Sequence, residues 1–199
     1  MSAGPTLGRR TITRRRLLLA AAGAAGIGVA ASPWSPKALA ATDDDLAYAN
    51  FGLASSFLLA DYYGRALQAG RLGPAARPTL QRGRSASTLQ ARALSDLLTG
   101  AGDTPATAED FEFVFPAASL ATAAAIRRTG LTLLNATRGA YQSASATTSE
   151  SSYRVLFASL AASVAAQVGA LAPPGAGVES FPAALELETA SAALEAYLG

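Results

Sequence analysis

From Thr42 onward the apolar positions of the chain fall at helical spacing. Leu46, Leu53, Ala60 and Leu67 recur every seven residues, and Ala49, Phe57 and Gly64 fill the same stripe. Intervals of three, four and seven belong to a helix that buries one face. Thr42, Asp43, Asp44 and Asp45 precede the stripe. A hydroxyl followed three residues later by a carboxylate forms a capping box, and acids favour the positive end of a helix, so the spacing predicts a helix start here. Calcium is the rival explanation of the three acids, but adjacent side chains cannot all face one ion and no spaced calcium-loop pattern follows.

Residues 70–84, with Pro74 and Pro78, read as a connection. Residues 85–99 read as a second helix with Leu89, Ala93, Leu97 and Leu98 directed inward, stopped by Gly100 and Gly102. Two more helical patterns follow, 117–144 and 150–171, separated by the polar stretch 143–149. Pro173-Pro174-Gly175 breaks the chain, and Phe181-Pro182 opens a last helix with Leu185, Leu194 and Leu198 on one side. The expectation is an all-α domain of four long helices and a short C-terminal one. No period of 20 to 50 residues recurs, which excludes repeat architectures, and alanine-rich stretches such as residues 121–125 favour helix rather than disorder. The alternating run Phe111-Glu112-Phe113-Val114-Phe115 interrupts this pattern. One strand without a partner makes no sheet, so the run is expected to lie extended across the helices with its rings buried.

The first forty residues follow a different pattern: a basic segment, the 15-residue apolar run 17–31 with three glycines, then a short small-residue stretch. This is the order of a signal peptide, and the run is shorter than the roughly 20 residues of a permanent membrane helix. Ala38-Leu39-Ala40 puts small residues at the two positions read by a signal peptidase, which predicts cleavage after Ala40 and division of the chain into a signal (1–40) and one domain (41–199). Thr13-Arg14-Arg15-Arg16-Leu17-Leu18 resembles the twin-arginine signal, with Arg14 and Arg15 as the recognised pair because Arg9-Arg10 lies further from the apolar run. The resemblance implies export in the folded state to the cell envelope or beyond, with membrane contact only through the signal and the export machinery.

Charge changes the picture once the signal is set apart. The chain carries a formal charge of +2, yet six of its sixteen basic residues precede residue 41 and no acidic residue does. Ten basic residues then face fourteen acidic ones, a net charge of −4. That balance argues against nucleic acid as a partner. The chain has neither cysteine nor histidine, which excludes disulfides, thiolate nucleophiles, lipid attachment to cysteine and every mechanism built on an imidazole base. A serine nucleophile finds neither Gly-x-Ser-x-Gly nor Ser-x-x-Lys. Acid-base work by a pair drawn from Asp61, Asp96, Glu186 and Glu188 lacks anything that brings two of them together. Asp61 beside Tyr62 and Tyr63 reads best as a surface or cap-bonded acid.

The mature chain resembles the secreted ferritin-like domain family. The resemblance is carried by the order and spacing of four pieces: residues 50–53 through Asp61-Tyr62-Tyr63, the insert 109–113, residues 139–144, and residues 181–185 leading into 194–198. It implies a ferritin-like four-helix bundle. In di-iron members of such folds, two helices each supply a glutamate and two supply a Glu-x-x-His pair. By neighbouring landmarks these positions fall on Ser56, on Ser87 and Gln90, on Leu134, and on Val164 and Gln167. A shift of one residue exchanges Leu134 for Asn135. None is a usual ligand, so the expectation is a metal-free, cofactor-free core that serves a structural or partner-binding role, with a protein partner or a second copy. Two other readings stay open: iron binding or redox chemistry through carboxylates such as Glu109, Asp110 and Glu112, and a small apolar ligand in the core. The first-helix assignment predicts that Leu53→Asp unfolds the domain while Asp44→Ala changes its stability little, as thermal melts followed by circular dichroism will read.

Overall fold

The structure, a computed structural model, describes residues 42–173 and 183–199. It is all-helical. Four long helices, α1 (Asp43–Ala69), α2 (Arg77–Gly100), α3 (Ala123–Thr147) and α4 (Ser151–Leu171), surround one core, and a short α5 (Leu187–Glu195) closes one side. Arg14, Arg15, Ala38, Ala40 and the segment with Phe181 and Pro182 lie outside the described residues.

The helix ends follow from their local chemistry. Thr42 caps α1 as its spacing predicts: its hydroxyl accepts from the Asp45 amide at 3.2 Å, and the Asp45 carboxylate accepts from the Thr42 amide. Gly70 ends the helix with φ 63°, a left-handed cap that suits a residue without Cβ. Helix α2 begins at Arg77, eight residues before the predicted start. Pro78 falls in the first turn, where no amide hydrogen is needed, so it starts a helix instead of excluding one. Helix α3 starts only at the Thr122 cap, after a 3₁₀ turn over Ala117–Leu120, and it runs through the polar stretch to Thr147. Glu150 caps α4. The last helix begins at Leu187, with Leu185 ahead of it donating its amide to the Gly139 carbonyl.

The contacts between helices fix the directions. Gly52 of α1 faces Leu94 of α2, and Gly83 of α2 faces Tyr63 of α1, so the two run antiparallel. Tyr62 hydrogen-bonds the Ile126 carbonyl and Tyr48 meets Ser143, which makes α3 antiparallel to α1 as well. Tyr48 packs on Phe157 and Tyr63 bonds Gln167, so α4 runs parallel to α1. Helices α2 and α3 therefore point the same way, and residues 101–122 must return along the length of the molecule. They do so over α1: Asp103 meets Asn50, Phe111 packs on Phe57, and Phe115 packs on Tyr62. The aromatic run is extended as expected, with Phe111, Phe113 and Phe115 half-buried and Glu112 and Val114 outward. It also finds a partner. Val114 donates to the Tyr197 carbonyl and Gly199 donates to the Glu112 carbonyl, each at 2.9 Å, in a single antiparallel bridge.

The apolar stripes differ from expectation most on α2, and also on α1, where Leu46, Phe57, Ala60, Gly64 and Leu67 are only half-buried. On α2 the buried side is Leu80, Gly83, Ser87, Gln90, Ala91, Leu94 and Leu98, while Leu89 is 66% exposed and Ala93 and Leu97 are only half-buried. Small and polar residues occupy the middle of the true face, so hydrophobicity alone selects the wrong side. On α1, Leu53 is buried with Ala49, and burial spreads well beyond the heptad stripe to Leu58, Leu59, Tyr62, Tyr63 and Ala66. Among the described residues α4 alone is long and apolar enough to cross a membrane by length and composition. Its Phe157, Leu160, Val164 and Val168 are buried in the core.

Asp45 ties the start of α1 to the turn between α3 and α4. Its carboxylate accepts from the Ser149 hydroxyl at 2.6 Å and from the Ser149 amide at 3.1 Å. Burial works to raise its pKa, but the bonds from Ser149 and Thr42 outweigh burial and hold the carboxyl below its ordinary value. Its contribution to stability is thus present above about pH 4 and lost as pH falls through the lowered folded-state value. Asp45→Asn should cost about 1–2 kcal/mol at neutral pH. The gap from the parent should narrow on acidification below about pH 4. Urea unfolding across that window checks this, and a gap independent of pH would contradict it.

Candidate functional site

The six positions to which the resemblance assigns a ligand set lie on four helices, and all six are buried: Ser56 on α1, Ser87 and Gln90 on α2, Leu134 on α3, Val164 and Gln167 on α4. Asn135, the alternative on α3, is exposed. The register set by the Gly52–Leu94 and Gly83–Tyr63 contacts places Ser56 level with Gln90. Gln90 in turn reaches Ser163, the neighbour of Val164, at 3.0 Å.

Large rings seated on glycines surround this layer. A Cβ on Gly52 would stand 2.7 Å from Cε1 of Tyr141, and one on Gly83 would stand 2.6 Å from Cε1 of Tyr63, so both helices give up a side chain to admit a tyrosine. Tyr141 is completely buried, and its hydroxyl donates to the Gly52 carbonyl at 3.3 Å beside the Ser56 hydroxyl at 3.4 Å. Ser56 and Ser87 turn their hydroxyls onto carbonyls one turn back, those of Gly52 at 2.7 Å and Gly83 at 3.0 Å. Tyr63 donates to Gln167 Oε1 at 3.0 Å. Burial pushes the phenols of Tyr62, Tyr63 and Tyr141 far above their ordinary value, which keeps them neutral hydrogen-bond donors. One atom of each amide, Gln90 Oε1 and Gln167 Nε2, is buried without a protein hydrogen-bond partner.

This layer does not fit iron. None of the six side chains is a carboxylate or an imidazole, the hard oxygen and nitrogen donors such a centre needs. Among the described residues no three of His, Cys, Asp and Glu stand together as a metal site. The other acids lie elsewhere. Asp61 is half-buried and paired with Arg65 at 2.8 Å, one turn along α1. Asp110 caps its own 3₁₀ turn by accepting from the Thr107 amide and hydroxyl, and these bonds lower its pKa. Asp96, Glu109, Glu112, Glu186 and Glu188 are exposed.

The chain matches no protein-family model, no curated protein and no solved structure.

The tyrosine–amide pairing missed by sequence reasoning joins residues 104 positions apart, and only the fold brings them together. It predicts a coupling. Gln167→Leu alone strands the Tyr63 hydroxyl in the core and should cost about 1–3 kcal/mol, whereas adding Tyr63→Phe removes the stranded group. In urea unfolding the double variant should be less destabilised than the sum of the singles; strictly additive costs would mean that the bond contributes nothing.

Proposed function

We propose that this chain is an exported ferritin-like four-helix bundle in which neutral core residues have taken over the metal-ligand positions, and that it serves outside the cytoplasm as a non-catalytic structural or partner-binding protein. The observation that carries the reading is the occupied centre. Six positions on four helices, where a di-iron set would stand, hold two serines, two glutamines, a leucine and a valine, all buried. Unpaired buried carboxylates would repel one another and cost several kcal/mol, whereas these groups are neutral, and the four polar ones each bond a neighbouring residue: the Gly52 and Gly83 carbonyls, Ser163 and Tyr63.

The path of the chain supports the same reading. A single long crossover between two parallel helices, with short connections elsewhere, is the arrangement by which ferritin-like folds differ from simple up-and-down bundles. Export rests on the residues of the N-terminal segment, the Arg14-Arg15 pair before a weak apolar run and the Ala38-Leu39-Ala40 processing site.

Metal content tests the proposal. Protein expressed with its own signal in iron-replete medium and purified without chelator should hold less than about one iron or manganese ion per ten chains by elemental mass spectrometry. Near-stoichiometric metal would overturn the reading.

A further inference from the structure

A groove of about 780 Å³ runs between α1, α2 and the crossover, outside the core and independent of the ferritin-like reading. Pockets of this volume suit small organic ligands. One wall is aromatic. Phe111 and Phe113 stack with ring centroids 5.6 Å apart and planes within 6°, and Phe57 meets Phe111 at 5.9 Å. The stacked pair is half-buried and lines the groove, and Ala60 and Ala91 line it from the two helices.

The facing side is cationic. Arg84 and Arg92 extend from α2 two turns apart, with Thr88 between them, and all three line the groove. Neither guanidinium lies within ion-pair distance of a described acid. Arg84 rests against Gly64, its Cζ 3.8 Å from where a Cβ would stand. Arg65 is different: it is committed to Asp61, to the Phe113 carbonyl at 3.1 Å and to the face of Phe115 at 5.3 Å. Glu112 also lines the groove, so the two free arginines leave it positive by one, on a domain of net charge −4.

We propose that this groove binds a small amphipathic organic anion, a carboxylate or sulfonate on a flat apolar body, with the anion facing Arg84 and Arg92 and the body lying against Phe111 and Phe113. Arginine takes such groups through a planar fork of donors, and the stacked rings supply area at little conformational cost. Thr88 spends its hydroxyl hydrogen on the Arg84 carbonyl at 3.1 Å, so it offers the site an acceptor rather than a donor, and the anion depends on the two guanidiniums.

Calorimetric titration of the full-length chain with 1-naphthoate, beside its neutral analogue 1-naphthylmethanol, tests the proposal. Naphthoate should saturate one site and bind about tenfold tighter than the alcohol. Arg84→Gln and Arg92→Gln should each weaken naphthoate several-fold with an unchanged helical spectrum, while Arg128→Gln on the exposed side of α3 leaves binding as it was. Failure of naphthoate to saturate, equal binding of acid and alcohol, or full affinity in both α2 variants would overturn it. None of these outcomes bears on metal content, so this proposal and the previous one can fail separately.

Discussion

A tyrosine in a protein interior brings a large ring that must displace something and a hydroxyl that must bond something. Tyr62, Tyr63 and Tyr141 impose both conditions at the centre of this molecule. Their rings fit because the facing helix offers Gly130, Gly83 or Gly52, and so the distance between helices is set where no side chain stands. Their hydroxyls then select the partners: a carbonyl of α3, the amide of Gln167, a carbonyl of α1. Packing and polarity thus specify one register together. Slipping α1 or α3 by a single residue would drive a Cβ into a ring and strand a buried phenol, each at a cost of about 1–3 kcal/mol.

Much of the fold was legible because it is local. The capping box at Thr42, the breaks near residues 70, 100 and 173, and the four long helical patterns all lie in windows of a few residues. The aromatic run was readable as extended for the same reason. What was not legible depended on contacts across the chain. Helix α2 buries glycine, serine and glutamine at its middle and exposes Leu89, since its neighbour supplies rings that need room and bonds rather than further apolar volume. The partner of the aromatic run lies more than eighty residues away, and no local signal marks it.

The candidate site divides in the same way. That Ser56, Ser87, Gln90, Leu134, Val164 and Gln167 belong together came from a resemblance; the structure buries all six, on four helices. How they are satisfied did not follow from their identities. Ser56 and Ser87 turn back onto their own helix, and Gln90 and Gln167 reach across to other helices. The groove was invisible in the sequence because its two unpaired arginines come from α2, its stacked rings from the crossover, and its positive character runs against the charge of the whole domain.

The bridge between the aromatic run and residues 197–199 has a mechanical consequence. Besides its contacts with α1, the crossover is held by two backbone hydrogen bonds to a segment anchored in turn by Ala190 and Leu194 of α5 in the core. Helix α5, packed on α3, therefore acts as a clamp on a wall that stands over α1 and α2. Part of the stiffness in that wall is therefore borrowed from α3: a load applied to α5 would pass both into the helix it packs on and, through the bridge, to Phe113.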